Sequence, residues 1–142
     1  MKSLIIVLLF IPFLIFSQYY TGQRVFSNKF MSEIKYLNQD TYIKIENSNR
    51  DIIVAVKDLI KGRVIQHAYI NAEENYSFKN IPIGKYVCLY MYTDKLGKRH
   101  YSKDDKTLDF PADQIGGYVI TMEVSSEGNL TQSDINENYF FN

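Results

Sequence analysis

Tyr76-Ser77-Phe78-Lys79-Asn80-Ile81-Pro82-Ile83-Gly84-Lys85-Tyr86-Val87-Cys88-Leu89-Tyr90-Met91-Tyr92 decides the fold. An apolar-alternating segment runs into Pro82-Ile83-Gly84, a strong reversal signal, and a longer segment of aromatic and branched residues follows. This reads as strand, turn, strand, with strands over 75–81 and 85–93. The second strand is apolar on both sides. Tyr86, Cys88, Tyr90 and Tyr92 share one face, and Val87, Leu89 and Met91 share the other.

The same grammar extends outward. Thr41–Glu46 alternates and ends in the turn-rich Asn47-Ser48-Asn49-Arg50. Residues 51–57 form a second strand, again apolar on both faces. Lys61-Gly62 turns the chain into a third strand over 63–70, and Asn71-Ala72-Glu73-Glu74 turns it into the fourth. Residues 94–106 read as a polar loop, residues 107–110 as a short strand ending at Pro111. Gly116-Gly117 opens a strand to Val124, with Tyr118, Ile120, Met122 and Val124 on one face. The tail from Ser133 reads as one helical turn capped by Ser133 before Tyr139-Phe140-Phe141. About seven short strands at this spacing, punctuated by Gly, Pro and Asn, predict an all-β, single-domain antiparallel β-sandwich over residues 41–142.

The Phe78-to-Tyr86 segment, with Ile81-Pro82-Ile83-Gly84 at its centre, resembles the turn signature of transthyretin-like, carboxypeptidase-regulatory-like β-sandwich domains. The Gly117–Val124 strand and the 133–141 tail also look like small exported bacterial members of that group. The resemblance implies an accessory, adhesive or binding module, although fold alone does not set a role.

Upstream, Met1-Lys2 is followed by an apolar run to Phe16, then Ser17 and Gln18. A charged start, an apolar centre and a small residue before a polar one read as a signal peptide over 1–17. The run is about 13 residues, short of the roughly 18–20 that span a bilayer. The expected location is therefore periplasmic or extracellular, with no stable membrane span after leader cleavage. Residues 18–40 form an N-terminal arm or short helix, with Phe26, Phe30, Ile34 and Leu37 near helical spacing and Ser27 in a capping position.

Sixteen basic and sixteen acidic residues balance, which excludes the basic field that nucleic-acid binding needs. The single cysteine, Cys88, forbids an intrachain disulfide and reads as a small buried hydrophobe. His67 reads as a solvated strand residue and His100 as a loop residue. Neither has zinc-ligand spacing. Asp104, Asp105, Asp109 and Asp113 do not match a calcium loop. No nucleophile elbow or phosphate loop is present. The expectation is a non-enzyme without metal or cofactor.

Twelve tyrosines point instead to recognition, since Tyr offers apolar area and a hydroxyl at low entropic cost. Tyr69, Tyr90, Tyr92, His100 and Tyr101 are the candidate contacts for a protein or glycan partner in the cell envelope or outside the cell. A structural or assembly subunit is the alternative, and a small hydrolase using a histidine a third. The strands that are apolar on both faces need a cover. The arm or the 139–141 tail is the expected cover, and a partner protein the rival.

Overall fold

The computed structural model describes residues 18–30, 40–122 and 132–142. The 1–17 leader, Ile34, Leu37 and Val124 lie outside the described residues. Among the described residues, nine strands and one short helix follow in order: β1 (Thr41–Glu46), β2 (Ile52–Asp58), β3 (Arg63–Ile70), β4 (Asn75–Lys79), β5 (Gly84–Thr93), β6 (Arg99–Asp104), β7 (Leu108–Phe110), β8 (Gly116–Thr121), β9 (Gln132–Asp134) and α1 (Glu137–Phe141).

The strands make two sheets, one ordered β4-β1-β8 and the other β3-β2-β5-β6-β9, with β7 paired to the start of β5. Ile43, Ile45 and Phe78 of the small sheet meet Ile52, Val54, Val56, Ala68, Ile70, Tyr86, Cys88 and Tyr90 of the large one in a buried core. The fold is the all-β sandwich that the alternation predicts. One pair departs from antiparallel: β8 runs parallel to β1, from Thr41 opposite Gly116 to Glu46 opposite Thr121.

The Pro82 turn does what its residues suggest. Asn80 takes a left-handed φ of 56° before it, a conformation asparagine tolerates. The Tyr86 hydroxyl then reaches back and donates to the Pro82 carbonyl at 3.0 Å, tying the new strand to the turn that launched it.

Two local readings are corrected, and one strand pair is irregular. Residues 99–104 form β6, paired with β5 and β9, so the polar loop shrinks to the Asp94–Lys98 hairpin. There Asp94 Oδ1 accepts from the Leu96 and Lys98 N–H groups, and Gly97 supplies φ 81°. The helix cap is Asn136, whose side chain accepts from the Tyr139 N–H at 2.8 Å, while Ser133 sits in β9. Finally, the register between β2 and β3 shifts at Val56/Lys57, so that Ile65 has no opposite number. This bulge turns Ile65 into the sandwich core and Val64 onto the opposite face.

That opposite face is the second core. Ile53, Ala55, Val64, Val87, Leu89 and Met91 form an apolar surface on the outside of the large sheet. Both expected covers lie on it: Val25, Phe26 and Phe30 from the arm, and Tyr139, Phe140 and Phe141 from the tail. The arm's described residues are turns and extended chain, not helix.

Candidate functional site: an aromatic cleft beside the arm

The arm also closes the exposed edge of β3. The Gly22 N–H donates to the Tyr69 carbonyl at 2.8 Å, and the Tyr69 N–H donates to the Gln23 carbonyl at 2.9 Å. Thr21 continues the zipper: its hydroxyl donates to Glu74, and its oxygen accepts from the Asn71 N–H at 2.9 Å. Unpaired edges invite association, so the arm acts as a makeshift edge strand.

Where arm and sheet diverge they leave a cleft of about 340 Å³, within the size range of small-ligand sites. Tyr19, Val25 and Phe26 line it from the arm, and Ile53, Tyr69 and Met91 from the sheet. Asp51, Tyr92, Thr93 and Arg99 border it at the strand ends. The Tyr19 and Tyr69 rings lie 5.2 Å apart at 59°. Tyr69 is held in place because its hydroxyl donates to Asp51 Oδ2 at 2.7 Å. Burial, followed by that bond, holds its phenol well above the usual range, so it stays a neutral donor. Arg99 is half exposed and 3.7 Å from Glu137, an ion pair that water weakens.

Of the five tyrosines and histidines singled out from the sequence, Tyr69 and Tyr92 border this cleft. His100 supports it from behind, stacked 4.8 Å from the Tyr92 ring at 11° with Nε2 2.8 Å from Asp94 Oδ2. Arg50 also lies over the Tyr92 ring at 4.4 Å. Tyr90 is elsewhere: it is 2% exposed, inside the sandwich, and donates to Asp104 at 2.8 Å. Tyr101 packs against Phe140 at 5.4 Å and donates to Glu137, so it belongs to the outer cover. Sequence reasoning missed Tyr19, Asp51 and Arg99, which come from three separate segments. The density of aromatics in the arm was the one available signal for Tyr19.

The remaining reactive groups do not converge. Cys88 is fully buried in the sandwich core, and burial pushes its thiol well up, away from the nucleophilic thiolate. His67 is not solvated as its strand position suggested. It points to the outer face, but Phe26 and Phe30 cover it and leave it 2% exposed. Among the described residues no three His, Cys, Asp or Glu side chains group as metal ligands, and no helix is long and apolar enough to cross a membrane. No family model, curated protein or solved structure matches this chain.

Two buried titrations oppose each other. Burial, helped by the charge of Arg24, pulls His67 from 6.5 down to about 4. Burial, with Asp105 adding to it and the Tyr90 bond opposing, lifts Asp104 from 3.8 to about 6. The His67 contribution to stability is present above its unfolded value of 6.5 and is lost as pH falls through about 4. The Asp104 contribution is present below 3.8 and is lost as pH rises through about 6. Each changes the slope by at most one proton, about 1.4 kcal/mol per pH unit, and half-buried Asp104 by less. His67→Gln should therefore gain on the wild type as pH falls from 6 to 4, while Asp104→Asn loses ground. Urea midpoints at three pH values read this out. Differences of the same sign in both variants would refute the assignment.

Proposed function

We propose that the protein is an exported, non-catalytic binding module that takes a glycan in the cleft between arm and sheet. Export rests on the leader reading of residues 1–17. The transthyretin-like kinship, which fits two-sheet architecture, rests on the Phe78–Tyr86 turn. The observation that carries the binding role is the composition of the cleft wall. Tilted Tyr19 and Tyr69 rings offer flat apolar faces to the C–H face of a sugar ring, and the strand ends place a carboxylate, a guanidinium and a threonine hydroxyl around them. A polyhydroxylated ligand can add hydrogen bonds to those polar groups, which a purely aliphatic one cannot.

Binding to a panel of envelope and extracellular polysaccharides, measured by calorimetry, tests this. Tyr19 is 45% exposed at the start of the arm, so Tyr19→Ala should leave the melting temperature nearly unchanged. It should weaken binding by about tenfold, the worth of one stacked aromatic contact. If Tyr19→Ala and Arg99→Gln both bind like the wild type, the cleft is not the site.

An assembly role is the second reading. Ile60, Ile83 and Ile115 are 73%, 58% and 87% exposed. They sit on turns at one end of the sandwich, opposite the cleft, where the ends of β2, β5 and β7 meet. Sedimentation that shifts with concentration, and ceases to do so in Ile60→Ser/Ile115→Ser, would favour it.

A further inference from the structure

We propose that residues 18–30 are an acid-releasable wall of the cleft, held shut by a hydrogen bond from the Phe26 backbone to His67. The consequence for ligand rests on the cleft reading above; the release of the arm does not.

The geometry is specific. The Phe26 N–H donates to His67 Nε2 at 3.1 Å. This contact continues the ladder that Gly22, Gln23 and Thr21 make with β3, with the imidazole standing in for a strand carbonyl. An imidazole accepts at Nε2 only when neutral with its proton on Nδ1. That Nδ1 is buried and has no hydrogen-bond partner. An apolar side chain would remove the unpaired Nδ1 but would also take the acceptor from the Phe26 N–H, so the imidazole keeps one bond at the expense of one buried unpaired nitrogen. What it adds is an acceptor that acid destroys. Once protonated, Nε2–H faces the Phe26 N–H, two donors in a site 2% exposed, and the arm must lift for the cation to reach water.

The surroundings do not rescue the cation. Arg24, on the arm itself, opposes protonation. The β2 residue opposite His67 is Ala55. The neighbouring rings are Phe26 and Phe30, and the arm's Lys29 is directed at the Phe141 ring, 5.2 Å away. Among the described residues no carboxylate offsets the charge on the imidazole. The arm carries Tyr19, Val25 and Phe26, three of the cleft's eight apolar and aromatic lining residues. Lifting it therefore dismantles the cleft, while α1 continues to cover part of the outer face.

Amide hydrogen exchange from pH 7 down to about 4, where His67 titrates, tests this, each rate being referred to the intrinsic rate at that pH. The Gly22, Phe26 and Tyr69 amides of the wild type should lose at least about tenfold protection, while β2 and β5 stay protected, as expected of a sub-global opening. His67→Gln, which keeps an acceptor near the Nε2 position but cannot titrate, should retain arm protection at acid pH. Arg24→Gln removes the opposing charge and should move the release midpoint toward neutrality. It decides the matter even if His67→Gln fails to fold. Arm protection that is flat with pH in the wild type, or that is lost together with β2 and β5, overturns the proposal. So does an unmoved midpoint in Arg24→Gln. Release of the arm without glycan binding at any pH supports the latch and refutes the cleft as a glycan site.

Discussion

Gly117→Ala should destabilise the protein by about 3 kcal/mol or more, in the range where close-packed structure is forced to move. A Cβ at Gly117 would stand 1.7 Å from the Tyr42 carbonyl oxygen, 2.6 Å from its carbon and 2.9 Å from the Tyr42 nitrogen. All three atoms are backbone, so no rotamer change relieves the overlap. Gly117 lies opposite Tyr42 in the parallel pair of β1 and β8, and among the described residues β8 has no other strand partner in its sheet. Relief requires β8 to retreat, breaking its ladder with β1 and uncovering Tyr118, Ile120 and Met122, which pack on the sandwich core. Gly62→Ala is the control. Gly62 has φ 67° but nothing within 4 Å of an added Cβ, so only backbone strain applies, about 1 kcal/mol. Urea unfolding of both variants makes the comparison. A Gly117→Ala midpoint equal to that of Gly62→Ala would show that β8 does not approach β1 this closely.

Phe140→Ala should cost about 3–5 kcal/mol, the usual price for deleting a buried phenylalanine. Phe140 is fully buried in a helix of five residues, too short to be stable by itself. Its ring meets Phe30 of the arm at 6.0 Å and Tyr101 of β6 at 5.4 Å. It is the pin that fastens tail and arm to the same surface. Removing it opens a cavity over Val87, Leu89 and Met91 and loosens both covers together. Phe30→Ala should be costly too, and the double variant should lose less than the sum, because the two rings share one cavity wall. A thermodynamic cycle from denaturant titrations supplies the coupling. Additive losses, or a Phe140→Ala penalty under about 1 kcal/mol, would mean the tail does not pin the arm.

The outer cover also explains an oddity of composition. A sandwich sheet ordinarily shows water one polar face, yet β2 and β5 are apolar on both. Alternation exposed that excess, and arm and tail were the only unassigned aromatic segments large enough to hide it. Which of them did so was not legible, because docking depends on where the chain ends return in space. Lys57 illustrates the result: it is buried at the rim with its ammonium 4.1 Å over the Tyr139 ring. Burial, with Lys103 nearby, lowers its pKa.

Misreadings have equally local causes. The sequence of β6 reads as loop because Arg99, Lys103 and Asp104 interrupt any apolar alternation, and its residues are only partly buried. Pairing with β5 holds it extended. His67 reads as solvated because strand periodicity shows which face a residue takes, not what lies on that face. The Ile65 bulge exchanged the faces of Val64 and Ile65 without any mark in composition.

Short-range chemistry settled most of the strands and their turns, because alternation and Pro-Gly-Asn punctuation act over a handful of neighbouring residues. Long-range geometry settled the rest: the parallel seat of β8, the burial of His67, and a cleft gathered from the arm, Asp51 and the β5–β6 ends. Those features are contacts between residues dozens of positions apart, and a linear pattern carries no record of which distant backbone will come to lie beside it.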